Sequence, residues 1–198
     1  MIGSGGVGGY FGARLASGGA DVVFLARGAH LAALRSQGIK VEGGPQPLHV
    51  ASVQATDDPS DMGVADFVLV AVKLWDTEAI LERIRPVVGP DTAIISFQNG
   101  VLKDNYLRTH YDAAQIMGGV GYVATTIDRP GVIRQTGSMH HDLQRGNPLE
   151  VRWLAGGVVE LGATVGVPTP LNRAIADILA LHAEGAKATA AEVADAAE

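Results

Sequence analysis

The residues with the clearest chemical potential form a glycine-rich turn at the start of the chain. Gly3, Gly5 and Gly8 make the pattern G-x-G-x-x-G, and the next residues have the apolar spacing of a helix. In such a turn the first glycine allows a tight bend, the second lets backbone approach a diphosphate, and the third lets the helix pack against a strand. The helix N-terminus favours an anion. The pattern predicts a dinucleotide-binding turn; the alternative is an ordinary turn in a chain with 26 glycines.

A single cation follows the next predicted strand. Residues 21–26 form a short apolar run typical of a strand, and Arg27 stands at its end. NAD-binding proteins usually present an acidic residue here to the ribose 2′-hydroxyl, whereas an arginine suits the 2′-phosphate of NADP. The sequence therefore predicts NADP(H) as the cofactor, with a solvated loop arginine as the alternative.

Two further polar residues follow predicted strands. Lys73 comes directly after the apolar run 65–72, and Asn99 follows the run 93–97. Ligands of doubly wound sheets bind outside the carboxyl ends of the strands. We therefore expect Lys73 on the cofactor side, or else as a solvated strand cap. The Asn99 amide is predicted to hold a nicotinamide or a substrate, although Asn-Gly is also common turn chemistry.

Strand and helix patterns alternate up to residue 112, which predicts a doubly wound α/β sheet of the Rossmann type. The run 65–72 has the continuous apolar character of a strand buried on both faces. Residues 149–166 carry apolar side chains at helical spacing, and Thr169-Pro170 is typical of a further helix start, so a shortened all-helical part follows. Only Met1 and Ile2 precede Gly3, so we expect the central first strand to be missing.

Composition narrows the classes of protein. The 198 residues fit one domain, with a small appendage at most. The absence of cysteine excludes disulfides and thiolate metal sites and suits the cytoplasm. A net charge of −6 without a basic run argues against nucleic acid, and no apolar run is long enough for a membrane span. Adjacent His140 and His141 point to different faces without a converging carboxylate, so we expect no metal site.

Together these stretches resemble the ketopantoate reductase (2-dehydropantoate 2-reductase) family. The similarity is carried by residues 3–12, 24–28, 72–73 and 98–100, and by a late group at 138–143, 148–150 and 166–172. The stretches occur in the family's order. The resemblance implies NADPH as the cofactor and a small-molecule 2-keto acid as the substrate. The implied reaction is reduction of 2-dehydropantoate to pantoate in pantothenate biosynthesis, in a cytoplasmic protein that could be a homodimer.

The resemblance also implies roles for individual residues. The family's diphosphate-binding turn corresponds here to Gly3, Ser4, Gly5, Gly6, Val7 and Gly8. Arg27 corresponds to the 2′-phosphate ligand, Lys73 to a cofactor-side lysine, and Ala124 to a cofactor contact. Asn99 resembles the asparagine that touches both nicotinamide and substrate. Ser138 resembles a substrate-binding serine, and Glu150 resembles a glutamate near the cofactor and the active site.

The chain departs from the family between Gly137 and Ser138. Family members carry a helical segment there, with the lysine that donates a proton to the substrate carbonyl; Lys187, in an alanine-rich tail, is no credible replacement. The segment could be part of the complete molecule and missing from this sequence, could be deleted naturally, or could have been removed by engineering. We expect an NADP-binding Rossmann domain at 1–137, a remnant of a helical substrate or dimerisation domain at 138–185, and a helical tail at 186–198.

Two alternative functions stay open. A chain without the lysine could be a catalytically impaired NADP-binding remnant or sensor, because general acid catalysis typically contributes about 10²–10⁴-fold. A related dehydrogenase acting on another 2-keto acid, or on an opine-like substrate, is the second alternative. The presence of a carbonyl-facing lysine would separate the first alternative from an active reductase.

Overall fold

The computed structural model describes residues 1–44, 46–121, 123–135 and 146–185. The strands are β1 (Val23–Leu25), β2 (Ile39–Glu42), β3 (Leu48–Val50), β4 (Gln54–Thr56), β5 (Ala65–Val70), β6 (Val88–Ser96), β7 (Ile116–Met117), β8 (Thr125–Arg129) and β9 (Val132–Gln135). The helices are α1 (Gly6–Ser17), α2 (Gly28–Gln37), α3 (Thr77–Arg83), α4 (Lys103–Arg108), α5 (Ala155–Val165) and α6 (Pro170–Ala180).

The chain forms two compact units. The first comprises Met1–Gln98 and Lys103–Thr136, and the second comprises Asn99–Leu102 and Gly137–Glu198. The domain boundary predicted after residue 137 stays a prediction, because residues 136–145 are outside the described part of the chain.

A parallel sheet organises the first unit. Its order is β4-β1-Ile2-β5-β6-β7, with Ile2 bridging Leu25 of β1 on one side and Val70 of β5 on the other. The Ile2 amide donates to the Leu69 carbonyl oxygen (2.8 Å), and the Ala71 amide donates to that of Ile2 (2.8 Å). Ile2 therefore occupies the central position of the sheet, where the sequence predicted that the first strand would be missing. The order is that of a doubly wound Rossmann sheet, as the sequence predicted.

Neighbouring residues of one strand pack into two different hydrophobic cores. Phe24 belongs to a cluster with α1, α2 and the second sheet, whereas Leu25 belongs to a cluster with β5, β6, α3 and α4. Successive side chains of a strand point to opposite faces, so the central strands are covered on both sides. The buried members of the larger cluster include Ile2, Val68, Val70, Leu81, Ile94 and Leu107.

A second, mixed sheet has the order β3-β2-β9-β8. The β2–β9 pair is parallel, and the β2–β3 and β8–β9 pairs are antiparallel. Its strands contact α1, which therefore has a sheet on either side. The sequence patterns predict a strand near each of these four positions but not that the strands form a separate sheet.

Helix α1 fits between the sheets because its buried face is made of Gly8, Gly9, Gly12 and Ala13. A Cβ built at Gly9 would lie 2.6 Å from the Ile133 Cδ1 of β9, and one built at Gly12 would collide with the Phe24 ring of β1. Real Cβ atoms do not approach other atoms so closely, so the small residues set the distance between α1 and both sheets.

In the second unit, α5 and α6 are joined by a short turn. Gly166 ends α5 with a φ of +70°, and the Val167 amide donates to the Gly162 carbonyl oxygen (2.8 Å). Pro170 stands in the first turn of α6, as the sequence predicted. Leu171, Ile175 and Ile178 are exposed on α6. No helix within the described residues is both long enough and apolar enough to cross a membrane.

Three sequence predictions about elements were wrong in detail. The helix expected at 149–166 begins only at Ala155, because the N-cap residue Leu154 has non-helical backbone angles (φ −84°, ψ −97°) that interrupt it. The sequence pattern of residues 115–120 also predicts a strand, but only Ile116–Met117 (β7) form one, since Gly118 and Gly119 follow and glycine weakens a strand. The first half of β5 is not buried on both faces, because the Phe67 side chain is 63% exposed.

The contact between Gly12 and Phe24 gives a testable prediction. Gly12→Ala places a methyl group against a fully buried ring, and overpacking of this kind typically lowers the free energy of unfolding by about 1–3 kcal/mol. Phe24→Leu removes the ring atoms that the methyl group would meet. The double variant should therefore be more stable than the sum of the two single effects, as measured by urea unfolding. Additive effects in this cycle would contradict the proposed steric cause.

An ion-pair network on the second sheet gives a pH prediction. Arg134 and, secondarily, Arg129 donate hydrogen bonds to the Asp128 carboxylate, which lowers its pKa from 3.8 to about 2. The resulting stabilisation is complete above the ordinary pKa and is lost as the pH falls toward the lowered one. The stability gap between the parent chain and Asp128→Asn should narrow as the pH falls from about 5 to about 3. Asp66→Asn is the control, and a gap independent of pH would contradict the prediction.

Candidate functional site

A side chain would have a different steric consequence at each of the three motif glycines. Gly3 has a φ of +89°, and a Cβ there would lie 2.7 Å from Val72 Cγ1. A Cβ at Gly8 would collide with the Gly3 carbonyl oxygen, so the start of α1 must be bare to pack on the turn. A Cβ at Gly5 would meet nothing within 4 Å. The open space at Gly5 is where the motif lets a ligand approach the backbone.

The N-terminus of α1 presents a positive environment. The helix begins at Gly6 and its first intrahelical bond runs from the Gly9 amide to the Gly5 carbonyl oxygen (2.7 Å). Earlier amides have no intrahelical acceptor, and no acidic residue lies in the first turn. Unpaired amides and the helix dipole together favour an anion at this position.

Ser4 and Gly6 have packing roles that the sequence did not reveal. The Ser4 hydroxyl is buried and donates to the Leu25 carbonyl oxygen (2.8 Å), so its side chain faces the fold. A Cβ at Gly6 would collide with the carbonyl oxygen of Thr125, the first residue of β8. Val7 is half-buried on α1, and Ala124 directly precedes Thr125. Any cofactor contact of Ser4 or Gly6 must therefore come from backbone atoms.

Arg27 lies at the start of the second helix of the unit. It is the N-cap residue of α2, two residues after β1, and its side chain is exposed. Within the described ranges, no hydrogen bond or ion pair engages the Arg27 guanidinium. Helix α2 has no acidic residue in its first turn. Arginine and helix N-terminus thus form a cationic position at the carboxyl end of β1.

Lys73 lies beyond the carboxyl end of β5. Its side chain is exposed, and its ammonium nitrogen lies 5.7 Å from the centroid of the Trp75 ring. This distance is within the range of a cation–π interaction, which restrains the lysine while leaving it accessible. Val72, one residue earlier, is the residue that approaches Gly3. Lys73 is therefore close in sequence to the residue that contacts the glycine turn.

The second unit brings together Asn99 and Glu150. The Asn99 Nδ2 atom donates to a Glu150 carboxylate oxygen over 3.1 Å, although 51 residues separate them in sequence. Glu150 is only 7% exposed, whereas Asn99 is exposed. The Glu150 carboxyl oxygen accepts this bond, so it sets which end of the Asn99 amide carries the nitrogen. The second N–H and the carbonyl oxygen of Asn99 remain directed away from that bond.

Gln98 is a residue that sequence reasoning did not single out. Its buried Nε2 donates to the Val72 carbonyl oxygen (2.9 Å) and to the Thr77 hydroxyl (2.6 Å). The Ser96 hydroxyl donates to its Oε1 (3.0 Å) and accepts from its backbone amide (3.2 Å). The only sequence signal was a polar residue at the end of an apolar strand, which does not reveal its partners.

Ser138 lies outside the described residues, as do His140 and His141. Its proposed contact with a substrate therefore stays a prediction. Among the residues that are described, no group of three or more histidines, aspartates or glutamates could hold a metal ion. The ligand roles of the glycine turn, Arg27, Lys73, Ala124, Asn99 and Glu150 are likewise predictions, now with a defined geometry.

Comparison with known proteins gives a consistent result. The family model of ketopantoate reductase PanE/ApbA matches residues 1–148. The 2-dehydropantoate 2-reductase of Mesorhizobium japonicum is 31% identical in an alignment 156 positions long, which covers 68% of this chain and 47% of that protein. The chain spans a little under half the length of the curated relatives it matches, at 47%, 46% and 44% for three of them.

Solved structures agree with the sequence comparison. The 2-dehydropantoate 2-reductase of Geobacter metallireducens GS-15 superimposes with a TM-score of 0.66 at 33% identity, covering 70% of this chain and 46% of that one. The PanE/ApbA family ketopantoate reductase of Ralstonia eutropha JMP134 gives a TM-score of 0.77 and covers 91% of this chain and 96% of that one. At 22% identity the latter shows a shared fold alone.

The Rossmann sheet order, the three sterically distinct glycines and the family match over residues 1–148 all lead to one assignment. The chain belongs to the ketopantoate reductase PanE/ApbA family.

Proposed function

We propose that this chain binds NADP(H) and that the protein reduces 2-dehydropantoate to pantoate, the reaction named for its relatives. The observation that carries the proposal is the exposed Asn99 amide held by the buried Glu150 carboxylate. The bond to Glu150 uses one N–H of the Asn99 amide. The second N–H is a donor and the carbonyl oxygen is an acceptor, and this pair suits recognition of a carboxamide or a keto acid. Family membership supports the same reaction.

The glycine turn has the properties needed to bind the cofactor diphosphate. Open space at Gly5 and the amides at the start of α1 suit an anion, and no acidic residue of the first turn opposes it. Gly3 and Gly8 maintain the geometry of the turn, because a Cβ at either position would collide with neighbouring atoms. A bound nicotinamide cofactor supplies the hydride, and the protein supplies position and electrostatics.

Arg27 is proposed to select the phosphorylated cofactor. Its exposed guanidinium and the N-terminus of α2 both favour a dianionic 2′-phosphate. A ribose 2′-hydroxyl offers no charge to either group. We also propose that Lys73 contacts the cofactor and that Ala124 lines its site.

Asn99 is proposed to contact both the nicotinamide and the substrate, with Glu150 setting the direction of its amide. Glu150 would also lie near the cofactor, and Ser138 would bind the substrate. Proton delivery to the substrate carbonyl is the step for which this chain offers no assigned lysine. Cytoplasmic location, a role in pantothenate synthesis and a homodimer stay predictions.

The cofactor preference can be tested with Arg27→Met. Loss of a charged hydrogen bond typically costs about 1.5–3 kcal/mol, so NADPH should bind roughly 10–150-fold more weakly while NADH binding changes little. Titration calorimetry with both cofactors measures the two constants. Arg35→Met, at the other end of α2, is the matched control and should retain the parent preference. Equal loss of NADPH and NADH affinity would contradict selection through the 2′-phosphate.

The reaction can be tested by following NADPH oxidation in the presence of 2-dehydropantoate. We expect Asn99→Ala and Glu150→Gln each to lower kcat/KM, because the first removes the amide and the second removes the acceptor that orients it. Binding of NADPH without turnover in the parent chain would favour the impaired remnant or sensor. Turnover of a different 2-keto acid in preference to 2-dehydropantoate would favour the related dehydrogenase.

A further inference from the structure

A short loop carries Asn99, and each of its ends is fixed by a polar side chain. The loop comprises residues 99–102, with Gln98 before it and Lys103 after it. We propose that Gln98 and Lys103 are positioning residues that anchor the two ends of this loop and thereby place the Asn99 amide. The inference rests on the proposed function, because it assigns these residues a role through Asn99.

The anchor at Gln98 uses every polar atom of the side chain. Nε2 donates to both Val72 and Thr77, and Oε1 accepts from Ser96. These partners lie beyond β5, at the start of α3 and at the end of β6, so the side chain ties three elements together. Gln98 is buried, and a satisfied buried amide has little freedom to reorient. The residue that directly precedes Asn99 is therefore fixed.

The anchor at Lys103 is a half-buried ammonium group. Its Nζ donates to the Ser96 carbonyl oxygen over 2.6 Å and also to the Gly119 carbonyl oxygen. Burial lowers the pKa of Lys103, while the neighbouring Asp104 raises it. Lys103 is the first residue of α4. Its charged hydrogen bonds to the Ser96 and Gly119 carbonyl oxygens offset the cost of desolvating its ammonium group.

Both anchors meet at Ser96, the last residue of β6. The Ser96 hydroxyl pairs with Gln98, and the Ser96 carbonyl oxygen accepts from Lys103. The two residues that flank the loop, Gln98 and Lys103, are therefore both hydrogen-bonded to the same residue of the first unit. Four residues between fixed ends have few conformations available, so the position of Asn99 is set largely before any ligand binds.

The experiment compares NADPH with adenosine 2′,5′-bisphosphate, which carries the 2′-phosphate but has no nicotinamide. Lys103→Met should weaken NADPH binding roughly tenfold, the size expected for a lost charged hydrogen bond, while the bisphosphate Kd stays within about twofold. Lys103→Arg retains the charge and should recover part of the loss. Lys40→Met, at a half-buried lysine on β2, is the matched control and should change neither constant.

Thr77→Val tests the other anchor with little change in shape, because it removes one acceptor of Gln98 and leaves the rest of the network. This variant should likewise weaken NADPH binding while leaving binding of the bisphosphate nearly unchanged. In the Asn99→Ala background, neither Lys103→Met nor Thr77→Val should weaken NADPH further, since the residue that they position is gone. Circular dichroism and thermal unfolding establish that each variant is folded.

The outcomes are separable. Selective, non-additive loss of NADPH affinity supports the inference. The inference is overturned if the variants lose affinity for both ligands equally, lose none, or add fully to the effect of Asn99→Ala. It is also overturned if the parent chain binds the two ligands with equal affinity. None of these outcomes contradicts the proposal that the chain binds the cofactor. Failure of the parent chain to bind either ligand refutes the proposed function, and the inference with it.

Discussion

The close approach of α1 to the two sheets is the constraint on which the rest of the first unit depends. Gly8 packs on the carbonyl group of Gly3, Gly9 on Ile133, and Gly12 on Phe24. Each contact excludes a side chain, so one helix face without Cβ atoms fixes the separation of both sheets. The same packing aims the amides at the start of α1 toward the carboxyl edge of the parallel sheet. Core packing and the direction of these amides are thus consequences of a single row of small residues.

Much of this could be predicted from the sequence because the signals are local. The glycine spacing, the apolar runs that became β5 and β6, and Pro170 at the start of α6 each act over a few residues. The candidate site could be partly predicted for the same reason, since Arg27, Lys73 and Asn99 each lie within three residues of the carboxyl end of a strand. Family resemblance supplied Glu150, which no local pattern would have selected.

The rest depends on partners that are distant in sequence. The second sheet requires Lys40 to pair with Val132, and periodicity does not report which strands pair. Val151 continues a helical spacing but lies in a turn before α5, because the backbone angles of Leu154 interrupt the helix. Gln98 and Lys103 looked like ordinary polar residues until their acceptors were known. Phe67 belongs to an apolar run yet is exposed, since nothing described covers that end of β5.

The pairing of β2 with β9 also has a consequence for synthesis of the chain. Helix α1 is complete at Ser17, but the strand that covers its glycine face on the far side ends at Gln135. At roughly 5–20 residues per second, the ribosome needs several seconds or more to supply the missing strand. During that interval the glycine face of α1 and the Phe24 ring that packs on it are not yet covered by β9. Folding of the Rossmann unit can therefore be completed only after Gln135 has been synthesised.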